Sequence, residues 1–404
     1  MISGLLKTKV NLGFIVNPFY IYCLAFSMAI FVYLWGWSDI FPKLSVSLLL
    51  FFAFSFILFI IAGYKFGQRN LERLYPQRFP IFLNDIMFGM IVFLGLLNVI
   101  LMGYLPILDR SHDYREFGAP VIDPVFNTLS IFFSVFFLQS FLNNKRKGLL
   151  VYVFIILVIQ ILLFRRSTIV WIFTSCTFLL LSYYRRISLL FILAFIICIP
   201  LFSYSFGLYG NTRSNLTKSI VLDDLGASDT FKKTGISYNH YITYLYISSP
   251  LANLQKNIDE QMAILNNRDF KGLLFYSLIP ESFTMRLQNA FKLIPPNCSL
   301  ITPELIVGTF FMVSFYTMGW LGMVIMLLFL FAFIMLCLFL SDKWNTFQVT
   351  AFCILSTAVS LLIFSNFLNR LDVVMMLFIY PVAFHFIYTR APMFFTKRKT
   401  LNSE

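Results

Sequence analysis

Two long apolar stretches, residues 46–64 and 321–340, constrain the fold of this chain more than any other feature of its sequence. Each is long enough to cross about 30 Å of hydrocarbon as an α-helix. Across the 404 residues, 59% are hydrophobic and 12% are charged, and the mean hydropathy is +0.81. A soluble globular enzyme is therefore excluded. A transmembrane barrel is excluded as well, because its strands would alternate polar and apolar residues.

About twenty apolar residues per crossing predict an all-α polytopic membrane protein with about ten transmembrane helices. We expect these helices to form a single transmembrane domain over residues 1–404. The predicted spans are 14–35, 44–64, 80–105, 123–142, 148–164, 167–184, 187–208, 317–340, 347–364 and 372–389. The first is expected to be a span and not a signal peptide, because Trp35, Trp37 and Pro42 follow it in place of a small-residue cleavage site.

The net charge of +13 follows the predicted membrane topology and does not indicate nucleic acid as a partner. With both termini in the cytoplasm, the inner connections carry sixteen basic residues against the acids Glu72, Asp342 and Glu404. The sixteen are Lys7, Lys9, Lys65, Arg69, Arg73, Arg78, Lys145, Arg146, Lys147, Arg185, Arg186, Lys343, Arg390, Lys397, Arg398 and Lys399. The outer connections balance their charges, so the positive-inside rule agrees with the predicted topology.

One long hydrophilic stretch, residues 210–304, falls on the outer, periplasmic side and holds nine Lys or Arg and eight Asp or Glu. A connection this long usually carries function or its own structure. Its apolar residues recur at helical spacing, which predicts an amphipathic helix along the outer membrane face or over a cavity. These residues are Leu251, Leu254, Ile258, Met262 and Leu265. The stretch 276–283, which contains Pro280, is predicted to be broken and partly re-entrant.

Neither a metal nor a cofactor is expected. The six cysteines are scattered without CxxC spacing. Asp223-Asp224 lacks the DxD spacing of metal-dependent nucleotide-sugar transferases. Asp85 lies inside the third predicted span and must be paired or hydrated there.

Arg165 and Arg166 form a double arginine in a tight outer hairpin, with no carboxylate beside them in the sequence. Guanidinium groups bind phosphate oxygens in bidentate fashion, so this hairpin is a candidate diphosphate site. Alternatively, it contacts lipid head groups, or the predicted topology is shifted by one span. Arg213, Arg286 and Arg370 could complete a cationic ring around a diphosphate. An ordinary surface salt bridge is the alternative for each, with Asp372 as the obvious partner of Arg370.

His240 is the histidine of the long loop and a candidate base for a sugar hydroxyl. Neighbouring aromatic and amide side chains are candidates for glycan binding. They are Tyr238, Asn239, Tyr241 and Tyr244. The alternative is a hydrogen-bonded histidine in an aromatic belt. Glu281, which follows Pro280, is a second candidate for the base or for a group that positions a hydroxyl. The alternative is a plain surface acid.

Several short stretches together resemble the O-antigen polymerase (Wzy) family, the bacterial oligosaccharide repeat-unit polymerases. The resemblance covers most of the chain, although each motif is degenerate. The stretches are Tyr114-Arg115-Glu116-Phe117-Gly118-Ala119-Pro120, Arg165-Arg166-Ser167-Thr168, Gly210-Asn211-Thr212-Arg213, residues 241–253, Thr302-Pro303-Glu304 and residues 316–322.

This resemblance implies a metal-independent, GT-C type glycosyltransferase of the inner membrane whose active site faces the periplasm. Such an enzyme moves a growing glycan from undecaprenyl diphosphate onto a lipid-linked repeat unit. Arg165, Arg166 and Arg213 match arginines that bind the diphosphates in the family. Some relatives, including the O-antigen ligases, use a loop histidine, which His240 matches in residue type but not in its surrounding motif. Undecaprenyl-diphosphate-linked oligosaccharides, membrane lipids, a chain-length regulator and a flippase are the implied partners.

Two other classes stay open at this point. An O-antigen ligase has nearly the same architecture. A lipid-linked oligosaccharide flippase or other transporter would have internal repeats, about twelve to fourteen spans and small outer loops. The chain has no such repeat and one long outer loop, which favours an enzyme over a transporter.

Overall fold

The structure is a computed structural model that describes residues 9–11, 13–66, 81–109, 116–184, 186–214, 220–261, 269–341 and 347–388. At some of these positions, including Arg213, the description covers the backbone alone. Several residues singled out in the sequence lie outside the described part. They are Met262, Leu265, Glu72, Tyr114, Arg115, Asp342, Glu404 and many of the inner basic residues.

The regular structure of the described chain is helical apart from two three-residue strands. The helices are α1 (Pro18–Tyr33), α2 (Val46–Phe66), α3 (Ile81–Met102), α4 (Ile122–Asn144), α5 (Gly148–Leu162), α6 (Arg166–Tyr184), α7 (Leu189–Ser214), α8 (Asp229–Lys233), α9 (Tyr238–Gln261), α10 (Phe270–Leu273), α11 (Glu281–Phe291), α12 (Met312–Ser341), α13 (Gln348–Ser360) and α14 (Leu371–Tyr388). Strands β1 (Lys9–Asn11) and β2 (Arg186–Ser188) pair antiparallel, a small departure from the predicted all-α fold. Short 3-10 or π segments occupy Gly13–Val16, Ile220–Asp224, Leu274–Leu278, Leu361–Ile363 and Phe367–Asn369.

Six of the described helices are long and apolar enough to cross a membrane. They are Val46–Phe66, Phe82–Met102, Ile122–Asn144, Arg166–Tyr184, Met312–Leu340 and Leu371–Tyr388. This is the architecture of a polytopic helical membrane protein. Four shorter apolar helices lie within the other four predicted spans, and ten crossings stay a prediction. They are Pro18–Tyr33, Gly148–Leu162, Ile197–Leu208 and Gln348–Ile363. Helix α1, with 16 residues, is about 24 Å long, less than the roughly 30 Å of a hydrocarbon core.

The chain divides into two compact units, and the single transmembrane domain stays a prediction. Unit 1 contains the described residues within Met1–Gln68, Arg185–Ala332 and Ala358–Arg370. Unit 2 contains those within Arg69–Tyr184, Phe333–Thr357 and Leu371–Glu404.

In unit 1, helix α1 packs against α2 and α9, and α9 also packs against α7. Aromatic rings fill the contact between α1 and α2. The Tyr22 and Phe59 ring centroids lie 4.5 Å apart, and those of Phe26 and Phe52 lie 5.1 Å apart. The Asn17 side chain accepts a hydrogen bond from the backbone N–H of Phe19, which caps α1 where Pro18 begins it. This packing fixes the N-terminal part of α9, which carries His240.

Helix α9 departs from the prediction for the long loop. Leu251, Leu254 and Ile258 lie on a helix as predicted, but the helix begins at Tyr238 and these three side chains are fully buried within unit 1. Neighbouring elements of unit 1 cover these three side chains, and the predicted position of the helix along the outer membrane face or over a cavity stays a prediction. The predicted break around Pro280 is confirmed. A π-helical turn ends at Leu278, and α11 begins at Glu281.

Helix α12 is interrupted at Gly319. This glycine has φ +61° and ψ −145°, a conformation that a residue with a Cβ rarely adopts. The backbone N–H of Asp269 donates to the Thr317 carbonyl oxygen beside the break, at 2.9 Å. The interruption therefore frees a carbonyl group in α12 for the segment that leads into α10.

In unit 2, helix α4 is almost wholly buried and packs against α3, α5 and α6. Phe132, Phe133, Phe136 and Phe137 of α4 lie in the core of unit 2.

At the opposite end from the α5–α6 hairpin, Asp85 of α3 accepts a hydrogen bond from the Tyr152 hydroxyl at 2.8 Å and pairs with Arg146 at 3.3 Å. Of the two predicted alternatives for Asp85, paired or hydrated, the structure shows the pairing, with the side chain 43% exposed. Because α4 and α6 run in the same direction, their N-terminal ends, with Asp123 and Arg166, lie at the same side of unit 2.

Candidate functional site

The hairpin between α5 and α6 is a tight turn that presents two arginines. Phe164 adopts φ +53° directly after α5 ends. Its N–H donates to the Ile161 carbonyl at 3.1 Å, and the Arg165 N–H donates to the Gln160 carbonyl at 3.0 Å. These two bonds form a Schellman motif with phenylalanine in the position that usually holds glycine. Because the turn is so short, Arg165 and Arg166 lie together at the N-terminal end of α6.

Arg165 has a carboxylate partner that its sequence surroundings do not reveal. Its Nη2 lies 2.8 Å from Oδ2 of Asp123, the second residue of α4. The Arg165 and Asp123 side chains are 21% and 13% exposed, so the ion pair is largely shielded from solvent. The same Nη2 also donates to the Phe117 carbonyl oxygen, and the guanidinium lies over the Phe117 ring, 5.7 Å from its centroid. The fold therefore brings a carboxylate to a hairpin that has none beside it in the sequence.

Asp123 is itself fixed by two amide side chains. The Asn98 Nδ2 donates to Asp123 Oδ1 at 2.8 Å, while the Asn98 Oδ1 accepts from the Ala119 backbone N–H at 2.8 Å. Asn127, one turn further along α4, donates to Asp123 Oδ2 at 3.1 Å. Asn98 is fully buried. The carboxylate, the guanidinium and the backbone of residues 117–119 thus form one hydrogen-bonded cluster.

Gly118 allows this cluster to close. Its φ of +137° lies in the region that favours glycine. A Cβ at this position would lie 2.7 Å from Arg165 Nη2 and 2.8 Å from Asp123 Cγ. Any side chain at position 118 would therefore push against both members of the ion pair.

Arg166 differs from Arg165 in its setting. It is the first residue of α6, where the backbone N–H groups of a helix favour anions, and its side chain is half-buried. Asp123 compensates the charge of Arg165. Anion binding by Arg166 stays a prediction.

His240 of unit 1 lies in the first turn of α9 and is half-buried. Its Nδ1 lies 3.1 Å from the Ser203 hydroxyl of α7, and its ring lies 5.8 Å from the Tyr204 ring. A Cβ at Gly207 of α7 would overlap the Asn239 carbonyl oxygen, so the two helices approach closely here. The bond to Ser203 uses Nδ1, which leaves Nε2 as the ring nitrogen that would act on a substrate hydroxyl.

The aromatic neighbours of His240 are mostly core residues. Tyr241, Tyr244 and Asn239 are buried, and Tyr238 packs against the same core. The Tyr241 hydroxyl donates to the Leu225 carbonyl at 2.7 Å. Burial raises the pKa of Tyr244 to about 12, so its phenol stays neutral. We therefore correct the prediction of glycan contact for Tyr241 and Tyr244, because Trp37, Phe41, Phe231 and other core residues cover their side chains, and for Asn239, because its side chain is buried.

The remaining predicted site residues belong to unit 1. Glu281 and Arg286 are exposed on α11. The Arg370 guanidinium lies over the Phe367 ring, 5.4 Å from its centroid. Arg213 occupies the last turn of α7, and its side chain is outside the part of the chain whose side chains are described. Whether these arginines form one ring with Arg166 stays a prediction.

Two asparagines on α9 were not identified from the sequence. Asn253 donates to the carbonyls of Leu305 and Val307 and accepts from the Ile301 N–H, all within 2.8 Å. Asn257 bonds both backbone groups of Ser299, at 2.8 and 3.0 Å. Their spacing of four residues, which places both amides on one helix face, is the signal that could have identified them. They fix the segment 299–307 against α9.

We expect Asn257→Ala to destabilise the protein, because the Ser299 N–H and carbonyl would lose their partner in a partly buried place. The expected loss is about 1 to 3 kcal/mol, measured by thermal unfolding in detergent. Cleavage after the exposed Glu304 by a glutamate-specific protease should also become faster. Asn289→Ala on the exposed face of α11 is the matched control and should change stability by less than about 0.5 kcal/mol. Equal stability and equal cleavage rates in the two variants would contradict the proposal that Asn257 fixes the segment 299–307.

Comparison of the chain with protein-family models, with curated proteins and with solved structures gives no match. Among the described residues, no group of three His, Cys, Asp or Glu side chains is arranged to hold a metal ion.

Proposed function

We propose that the protein is a metal-independent membrane glycosyltransferase that polymerises undecaprenyl-diphosphate-linked oligosaccharide repeat units into O-antigen polysaccharide. In this proposal the chain crosses the bacterial inner membrane ten times in a GT-C type architecture. Both termini are cytoplasmic, and the active site faces the periplasm. The six apolar helices long enough to span a membrane support the membrane setting.

The observation that carries the proposal is the contact between motifs that are distant in the sequence. In unit 2, Phe117 and Gly118 of one motif pack directly on Arg165 of another. In unit 1, Asn253 at the end of the stretch 241–253 bonds the backbone on both sides of Thr302-Pro303-Glu304. Each of these stretches resembles the same family. Their pairing supports a shared functional architecture.

The proposed chemistry is a displacement at the anomeric carbon of the growing chain. The hydroxyl oxygen of the acceptor sugar attacks this carbon, and the bond from the carbon to the diphosphate oxygen breaks. Arg166 and Arg213 stabilise the negative charge that develops on the leaving lipid diphosphate. His240 accepts the proton of the attacking hydroxyl, with Glu281 as the alternative base. The diphosphate leaves with the bonding electrons, so no redox partner is needed.

The ladder pattern of lipopolysaccharide tests the proposal directly. Deletion of the gene for this chain should leave lipid A core carrying one repeat unit, and the wild-type gene should restore the ladder. Loss of all capped core would instead indicate the O-antigen ligase. Retention of unflipped repeat units at the cytoplasmic face would indicate a flippase. Either of these results would contradict a polymerase.

The proposed topology makes a separate prediction for two exposed lysines, Lys232 and Lys147. In a background without native cysteines, Lys232→Cys should react with a membrane-impermeant thiol reagent in intact spheroplasts, because residues 210–304 are periplasmic. Lys147→Cys should react only after permeabilisation, because its connection belongs to the basic, cytoplasmic set. The reverse pattern would place the proposed site on the wrong side of the membrane.

A further inference from the structure

Helix α11 is too short to cross a membrane, yet it exposes large apolar side chains. Its 11 residues give a length of about 16 Å, roughly half of a hydrocarbon core. Phe283 and Phe291 are 51% and 50% exposed, and Ile294, which follows the helix, is 84% exposed. Exposed apolar residues on a spanning helix face lipid tails. Because α11 cannot span, the exposure of its apolar residues needs another explanation.

The apolar residues of α11 form one stripe. Phe283, Leu287, Ala290 and Phe291 recur at the spacing i, i+4, i+7 and i+8, which places them on one side of a helix. Leu287 is half-buried, whereas the other three residues are exposed. Asn289 is exposed on the opposite side of the helix. Helix α11 is therefore amphipathic, and the described part of the chain covers its apolar stripe only in part.

Contacts with the preceding segment fix the direction in which this stripe faces. The hydroxyl of the buried Thr284 donates to the Phe275 carbonyl, and the Phe275 and Phe291 rings lie 5.1 Å apart. Phe291 thus lies at the edge of the stripe that packs against unit 1. Phe283 and Ala290 lie at the other edge, which stays open.

Two cations flank the stripe. Arg286 lies at its open edge, three residues after Phe283, and Lys292 directly follows the helix. Both are exposed, and neither side chain forms an ion pair with a residue that the structure describes. Long basic side chains at the border of an apolar helix face rest their methylene groups on the apolar surface and extend their charge to lipid phosphates. Helix α11 therefore has the composition of a helix that lies in a membrane interface.

We propose that α11 lies in the membrane interface, with the exposed part of its stripe among the acyl carbons next to the head groups and with Arg286 and Lys292 bound to anionic lipid head groups. The membrane is the occupant of this face because the apolar helices of the chain already hold α11 near a bilayer. A tethered helix needs little affinity to stay bound, since the tether gives a high local concentration of lipid. This role of α11 does not depend on the proposed function, and it places Arg286 outside the predicted diphosphate ring.

Nitroxide labels on the full-length protein in nanodiscs test the position of the stripe. In a background without native cysteines, Phe283→Cys and Ala290→Cys are labelled one at a time, with Asn289→Cys as the matched control on the opposite side. Labels at positions 283 and 290 should collide more often with oxygen, which dissolves in lipid. The label at position 289 should collide more often with a water-soluble nickel chelate.

Two results of the labelling would overturn the proposal. Equal collision of all three labels with the nickel chelate would place α11 in water. Labels at positions 283 and 290 that neither oxygen nor the chelate reaches would show that protein, from a partner or a second copy, covers the stripe.

The charge of the lipid tests the two cations. Arg286→Gln/Lys292→Gln should lower the ratio of lipid-bound to free α11 about 5-fold or more in phosphatidylglycerol nanodiscs, read from the two components of the nitroxide spectrum at position 290. In phosphatidylcholine nanodiscs the same change should have little effect. Lys232→Gln/Lys233→Gln removes the same charge from the exposed side of α8 and should leave the ratio unchanged in both lipids. A ratio in phosphatidylglycerol that does not differ between Arg286→Gln/Lys292→Gln and wild type would overturn the binding of head groups by these cations.

Discussion

Purified protein carrying His240→Ala is expected to polymerise defined lipid-linked repeat units about 10² to 10⁴-fold more slowly than wild type. Half-buried His240 is fixed by Ser203 through Nδ1, and its other ring nitrogen is the proposed proton acceptor. Loss of a proton acceptor acts on the transition state, so the turnover number should fall while the affinity for the lipid-linked substrate stays nearly unchanged. Steady-state kinetics with a separate binding assay measures both quantities.

Two further variants make the His240 prediction specific. Ser203→Ala removes the partner of Nδ1 and should lower turnover by a smaller factor, because the ring is retained but less well oriented. His385→Ala changes a histidine of unit 2 that has no proposed role and should leave turnover within about two-fold of wild type. Activity of His240→Ala within a few-fold of wild type would remove the histidine from the mechanism and make Glu281 the next residue to test.

Loss of Arg166 is the second change with a large expected effect. Arg166→Ala should lower turnover about 10² to 10³-fold, as removal of one group that stabilises developing negative charge does in other enzymes. Arg166→Lys keeps the charge but loses the planar guanidinium, so activity should still fall. Arg213→Lys and Arg213→Ala should behave in the same way if both arginines contact the diphosphate. Polymer length in cells and turnover of purified protein are the measurements.

A matched control for the arginine variants is Lys147→Ala, an exposed basic residue in a connection predicted to be cytoplasmic. It should give wild-type polymer, because a distant surface charge contributes little at physiological salt. Protein levels must be equal across the series. Wild-type polymer length in Arg166→Ala and Arg213→Ala strains would refute the diphosphate assignment.

The helices were the part of the fold that could be predicted best. The predicted spans 123–142 and 167–184 differ from α4 and α6 by at most two residues at each end. Membrane thickness explains this agreement, because a crossing requires a minimum length of apolar sequence. Helix α9 was predicted less well. Its first half contains polar and aromatic residues that pack against other elements of unit 1, so the apolar periodicity was visible only in its second half.

The pairing of Arg165 with Asp123 could not have been predicted from the sequence. The two residues are 42 positions apart, and their contact depends on the packing of α4 against α6. A search for carboxylates near the double arginine in the sequence finds none, although one lies 2.8 Å away in space. The sequence likewise does not reveal which atoms lie close to Gly118. The residue types of the candidate site were thus predictable, while the roles of Arg165 and of the buried tyrosines required the tertiary structure.

The two asparagines of α9 restrict how the length of this chain can vary. Asn253 and Asn257 face the segment 299–307 together because three residues separate them. Insertion of one residue between them would rotate one amide by about 100° around the helix axis, so a single face could no longer offer both. Deletion of one residue between them would rotate the amide by the same angle in the opposite direction. Chains that descend from the same ancestor and keep this contact must therefore keep the spacing, and differences in length should accumulate outside residues 253–257.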